Sequence, residues 1–181
     1  MTHAVAVLNK VAAQDIDAYN RTVVCASDID NGWVFELLTK SATSGEGEVW
    51  TATQTAGTIT NMWMAYSPEI VTVVSGSNKY KGIDSDPRNF YSVAGEMIDA
   101  FRPVVGDIIT LTADALATGS GAASAYATCV SGNWKLVWAA AAVSGLTLKY
   151  LETNYISLPQ AGAISETQHV VSYKFAVSAV A

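Results

Sequence analysis

Two histidines, two cysteines and a few closely spaced carboxylates are the residues of this chain whose types could do chemistry. A hydrolytic triad would need His3 or His169 beside a serine nucleophile and an orienting carboxylate. No G-x-S-x-G elbow occurs in the sequence, and that turn is what exposes such a serine. His3 lies near the start of the chain, where fraying is expected, and His169 opens a strand-like run, so it reads as a strand-edge residue. Zinc needs paired ligands of the C-x-x-C or H-x-x-x-H kind, whereas Cys25, Cys129, His3 and His169 stand singly. Asp28-x-Asp30-Asn31-Gly32 begins like a calcium loop, but Thr39 stands where the closing Glu belongs. Turn geometry explains that run better.

The close carboxylate pairs are Asp84 with Asp86 and Glu46 with Glu48. Glycoside hydrolysis holds its two carboxylates on rigid elements at a set separation, and pairs in Gly- and Ser-rich loops do not suggest that. Arg88 beside Asp84 and Asp86 points to local ion pairing instead. Gly119-Ser120-Gly121-Ala122-Ala123-Ser124 has the look of a phosphate fingerprint. The next run, YATCV, reads as a strand rather than a helix, and no acid follows before Glu152, which fits a hairpin loop better than a dinucleotide site. The expectation is a protein that is not an enzyme, with no metal and no cofactor, acting by binding.

The elements that would carry these residues are strands. Apolar residues alternate with polar ones from end to end, the period of a half-buried strand. Trp33, Phe35 and Leu37 share a face after the Asn31-Gly32 turn, as do Trp134, Leu136 and Trp138, and Leu146, Leu148 and Tyr150. Near the C-terminus, Val171, Tyr173, Phe175 and Val177 are expected inward, with Ser172, Lys174 and Ser178 outward. EVWTATQT and MWMAYSPEIVTVV supply further strands, Pro68 marking a break or an edge. Asn-Gly, Ser-Gly and Gly-Ser turns punctuate the runs. The pattern predicts an all-β fold, mainly an antiparallel barrel or sandwich of about nine to twelve strands, with at most one or two short helices. Residues 1–181 read as one β-rich domain, with two lobes as the alternative.

Two segments keep room for helix. Val11 to Tyr19 could make two amphipathic turns, and Asp86-Pro87 is a good helix start, because Asp caps and Pro fits the first helical position. Beyond it, Glu96 to Arg102 is favoured as a strand over a helical continuation, since Gly95 weakens the helix. Pro103-Val104-Val105-Gly106-Asp107 would then turn that strand into DIITLTA as a barrel hairpin.

Composition bounds the partners. Charged residues make up 14% of the chain, against about a quarter in typical domains, and the net charge is −6. No Lys/Arg stripe offers a phosphate surface, so nucleic acid and acidic membranes are poor partners. No apolar run is long enough to span a bilayer, and the first residues lack the pattern of a secretory signal. Five charged residues, Lys135, Lys149, Glu152, Glu166 and Lys174, are all that lie between Ala117 and Ala181. That half is expected to be buried or in contact with something else. Cys25 and Cys129 each sit in an apolar run and read as reduced core thiols, a disulfide between them being the alternative.

The stretch from Lys79 to Leu116 is the most distinctive in the chain, with four of its ten basic residues and two of its four prolines. Its K-Y-K-G-x-D-x-D-x-R-N-F-Y run at Lys79 to Tyr91 and F-R-P-x-x-G-D run at Phe101 to Asp107 carry a resemblance, as do VVCASDIDNGWVFEL, EVWTATQ and MWMAYSPEIVTVV. Together they resemble a family of small structural proteins of tailed bacteriophages whose genes commonly sit beside that of the major capsid protein. The resemblance is looser over the last third. It implies a capsid decoration, or cement, protein on the outer surface of the virion head, assembled in the host cytoplasm. Its partners would be the major capsid protein and further copies of itself, a trimer being favoured. The alternatives are a tail-tube or tail-associated subunit, and a carbohydrate-binding module using Trp50, Trp63 or Tyr66. The expected interface residues are Lys79, Tyr80, Lys81, Asp84, Asp86, Arg88 and Asn89, with the loops Ser41 to Glu48 and Thr118 to Ser124 as further candidates.

Overall fold

The computed structural model describes residues 3–41, 48–54, 61–84, 86–117, 125–159 and 167–180, with backbone alone at 72–74, 79 and 83. The fold is all-β, and among these residues the only helices are four short 3-10 turns. The described residues hold fourteen strands: β1 (Ala6–Lys10), β2 (Asn20–Cys25), β3 (Val34–Lys40), β4 (Val49–Thr53), β5 (Met62–Ala65), β6 (Ile70–Ser75) and β7 (Asn78–Ile83) in the first half, then β8 (Met97–Phe101), β9 (Ile108–Thr112), β10 (Leu116–Ala117), β11 (Tyr126–Thr128), β12 (Leu136–Ala139), β13 (Thr147–Pro159) and β14 (Thr167–Ala179). The count exceeds the alternating runs in the sequence because short pieces such as β10 are too brief to show a period.

Three sheets result among the described residues. β2, β4, β3, β5 and β8 close a small barrel; β1, β9, β14, β13, β11, β12 and β10 form a seven-stranded sheet; β6 and β7 make a hairpin of their own. Barrel and sheet are packed together through strands that are buried on both faces. Phe35, Trp63, Ala65, Ile98 and Ala100 fill the barrel with Val23 and Cys25. Their neighbours on the same strands, Val34, Met62, Met64 and Phe101, join Ile109, Leu111, Leu148 and Phe175 of the sheet. Alternate residues along a strand point to opposite faces. A strand with two apolar neighbours therefore loses its polar alternation, which is why MWMA is buried at all four positions.

The loop before β3 sits at the seam. Asn31 donates from Nδ2 to the Ser67 carbonyl at 3.0 Å and accepts from the Ser67 amide at 2.9 Å. Gly32 has φ +86°, and a Cβ there would come within 2.7 Å of Leu111 Cδ2 and 3.3 Å of Ala6 Cβ. This is the close approach that only glycine permits. Asp30, buried beside it, accepts from the Ala4 amide at 2.9 Å and lies 2.8 Å from His3 Nδ1. His3 also stacks on Tyr91 at 4.5 Å between ring centroids. The expectation of a frayed His3 is therefore corrected: remote partners fix it.

Two further expectations are corrected. β8 and β9 do not form a hairpin, since β8 pairs with β2 and β5 in the barrel while β9 pairs with β1 and β14 in the sheet. Residues 103–107 instead carry the chain from one to the other. Asp107 fixes this passage by accepting from the Val104 and Ala12 amides, both at 2.9 Å. On β14, Phe175 and Val177 are buried inward as expected, but Ser172 is wholly buried and Val171 is exposed. Ser172 pairs with Thr112 on the last rung shared with β9, where the opposite face of the sheet is covered as well. Val171 lies one residue beyond that rung.

Other local readings hold. Ala12–Asp15 and Asp17–Tyr19 are the two 3-10 turns of the Val11 to Tyr19 segment. The short helix expected from Pro87 to about Val93 is shorter than that, a single 3-10 turn over Pro87–Asn89 capped by Asp86, whose side chain accepts from the Arg88 amide. Met97–Phe101 is a strand.

Candidate functional site

Two ribbons stand apart from the sheets. The first is the β6–β7 hairpin, paired over Ile70 to Ile83, with both outer edges unpaired among the described residues. Its alternation places Tyr80 and Lys81 on opposite faces. Tyr80 is 57% exposed. The second ribbon is the distal part of β13 and β14. β11 pairs β13 only from Thr147 to Lys149, and β9 pairs β14 only from Ser172 to Ala176, yet the two strands pair with each other out to Pro159 and Thr167. Their tips are a two-stranded arm.

One face of the arm is turned inward and carries buried Leu158 and Ser172. The other carries the cross-strand pair Tyr155 and Val171, exposed by 59% and 39%. His169 lies on that outer face opposite Ser157, its Nδ1 3.3 Å from the Ser157 hydroxyl. An aromatic beside a β-branched residue on an open ribbon is the kind of pair that anchors an interface. Sequence periodicity had assigned Val171 to the core. The end of β9 pairing is what exposes it, and alternation alone carries no signal of where a neighbouring strand stops.

The segment from Asp84 to Asn89 joins the two ribbons. Arg88 is its centre. Its Nε and Nη2 donate to the two oxygens of Asp86 at 2.9 and 2.8 Å, its Nη2 also to the Pro159 carbonyl at 2.8 Å, and its Nη1 to Gln168 Oε1 at 3.0 Å. The guanidinium fork can satisfy a carboxylate and two more acceptors at once. Its hydrogen bonds hold the Asp86 carboxyl below the usual carboxylate range, and Asp86 in turn raises Arg88. Asp84 closes the loop locally, accepting from the Asp86 amide at 2.9 Å and from Asn89 Nδ2 at 3.0 Å.

The seven expected interface residues thus divide. Tyr80, Lys81, Asp84 and Asn89 are exposed, and Lys81 lies 3.6 Å from Glu96. Arg88 is buried and Asp86 mostly so, and the two side chains bond to each other while Arg88 also holds the tip of the arm. Lys79 contributes its backbone to β7. The loops at 42–47 and 118–124, with Glu46 and the Gly119–Ser124 run, lie outside the described residues.

The remaining chemical candidates fall elsewhere. Cys25 belongs to the barrel core and Cys129 to the sheet core, and both are free and buried. Burial pushes the Cys129 thiol up to about 12 and raises Cys25. Asp28 accepts from the Ala94 amide at 2.9 Å, so the calcium-like run spends its carboxylates on backbone. Among the described residues no cluster of three or more His, Cys, Asp or Glu could hold a metal, and no helix is long and apolar enough to cross a membrane. Trp63 is buried, which removes it as an open sugar platform, while Lys40 lies over the partly buried Trp50 ring at 6.0 Å. Tyr66 lines a groove of 520 Å³ between the 3-10 turns and the barrel, with Asp17, Arg21, Pro68 and Asp99.

Compared with protein-family models, with curated proteins and with solved structures, the chain matches none of them.

Proposed function

We infer that this is a virion structural protein, a decoration protein that binds the outside of a phage head and bridges neighbouring capsid subunits. The observation that carries this reading is the place of the Lys79 to Tyr91 run, which bears the resemblance to phage structural proteins. It forms one strand of the first ribbon and the Arg88 clamp on the second. A cement protein must reach across a junction between subunits and hold its reaching elements rigid. An arm whose tip is tied to the body by a buried, fully engaged arginine meets that need. The arm contributes Tyr155 and Val171 as its capsid-facing pair, an exposed apolar surface that gains by being covered. The major capsid protein is the partner, and the gain to the shell is the buried area that expansion would have to break.

Locating the protein in imaged virions tests this reading. Density on the outer head surface between capsid subunits is expected. Density confined to the tail tube would replace it with the tail-subunit reading.

A further inference from the structure

We propose that the β13–β14 arm is a latched lever: it turns about a bulge at its root, and residues 3–5 together with Arg88 hold it closed. The root is marked on both strands. The β13–β14 register shifts between Tyr150 and Glu152, directly after β11 stops at Lys149. A bulge interrupts the ladder and lets a strand bend there. Towards the tip, β14 loses its β9 neighbour beyond Ser172. Past the root, residues 151–155 are all exposed, and because successive side chains point to opposite faces, that stretch of β13 meets solvent on both sides. The strand is buried again at Leu158, where Arg88 reaches Pro159 and Gln168. An element rooted at a bend and fastened at its far end moves when the fastening opens.

Residues 3–5 run from the root to the fastening. Val5 donates its amide to Thr112 Oγ1 at 2.9 Å and accepts from the Thr112 amide at 3.0 Å. Thr112 is the partner of Ser172 on the last β9 rung. Two residues earlier, the His3 amide donates to the Arg88 carbonyl at 2.9 Å. Asp30 secures this strap, accepting from the Ala4 amide with one oxygen and standing 2.8 Å from His3 Nδ1 with the other. The strap thus fixes the backbone of the residue whose side chain holds the arm. Closure carries a cost at the root. Ser172 Oγ is buried and has no hydrogen-bond partner among the described residues, and a buried hydroxyl left without a partner loses its hydration with no return. Opening would admit water to Ser172 and uncover Leu158, so the closed arm depends on the strap and the guanidinium. The lever does not depend on what the arm binds, and it can be tested on the chain alone.

The test is the distance between nitroxide labels on Asn154→Cys of the arm and Ala26→Cys beside β2, read by double electron–electron resonance, with circular dichroism to verify folding. Both labelled positions are exposed, and the native thiols are buried. His3→Ala loosens the strap, and Gln168→Ala removes one arm contact of Arg88 while leaving Asp86 in place. Without either change, one narrow distance is expected. Each change should add a second population of about a tenth of the molecules or more, and the two together should enlarge it. One narrow distance in every variant would overturn the proposal, and so would two populations before either change is made. Variants that lose their strand signal in circular dichroism would overturn it as well, by showing these contacts to be general supports of the fold.

Discussion

Arg88 donates from Nη2 to the carbonyl of Pro159 at 2.8 Å across 71 positions of sequence. The bond joins a 3-10 turn to the tip of the longest hairpin in the chain. It holds the arm beyond the rungs where β9 and β11 stop. The other donors of the same guanidinium hold Asp86 and Gln168, so one side chain ties the Asp86–Asn89 turn to both strands of the arm.

Arg88→Ala should destabilise the fold by about 3 kcal/mol, the usual scale for breaking a buried charged pair and stranding its partner. Arg88→Lys should recover only part of that, since an ammonium cannot reproduce the bidentate fork. Urea denaturation of the two variants checks both values. A loss below about 1 kcal/mol for Arg88→Ala would mean the clamp is ornamental.

The pH dependence follows from the same pair. Asp86 is held below its ordinary 3.8 by the hydrogen bonds from Arg88. The folded state therefore releases this proton more readily than the unfolded chain does, so the stabilisation is complete above the unfolded value and disappears as pH falls through the folded one. Glu69, raised above 4.5 by burial, has the opposite sign: its folded form keeps the proton longer, and stability falls as pH rises from 4.5 through its folded value. Asp86→Asn is expected to flatten the acid limb of the stability curve, and Glu69→Gln to remove a shallow decline above it. Acid limbs identical in wild type and Asp86→Asn would rule this out.

Gly32→Ala should cost about 2–4 kcal/mol, combining left-handed backbone strain with a forced contact on the seam. The added carbon would stand 2.7 Å from Leu111 Cδ2. Gly76→Ala is the control: it too has positive φ, but a Cβ there meets nothing within 4 Å. Thermal unfolding of both should show the larger drop at Gly32.

Much of the fold was legible because alternation reports which residues share a face. Phe35, Leu148 and Phe175 were assigned inward and are buried. Alternation does not report which strand lies alongside, so the FRPVVGD run read as a hairpin although it links barrel to sheet. The site was less legible. Arg88 and Asp86 looked like surface charges because the acceptors that bury the arginine, Pro159 and Gln168, are remote in sequence. His3 was misread for the same reason, its partners Asp30 and Tyr91 being far along the chain. Tyr80 and Lys81 are exposed, but on strand β7 rather than in the loop the sequence suggested.

The thiols offer an independent check on the two cores. Cys25 and Cys129 are 3% and 1% exposed, and the Cys129 thiol is pushed up to about 12. A thiolate is the reactive form, so neither should react with an aromatic disulfide reagent at pH 8 while the chain is folded. Both should react in denaturant. Rapid labelling of either in the native protein would contradict the packing described.

The proposed role is to bind a phage head through the arm that Arg88 holds, and so to stabilise it. The direct measurement is the melting temperature of decoration-free capsids, of the phage that encodes the chain, with and without the added protein. Wild type should co-sediment with the capsids and raise their melting temperature, and Tyr155→Ala with Val171→Ser should do both less. A wild-type protein that stays in the supernatant and leaves the melting temperature unchanged would contradict the account.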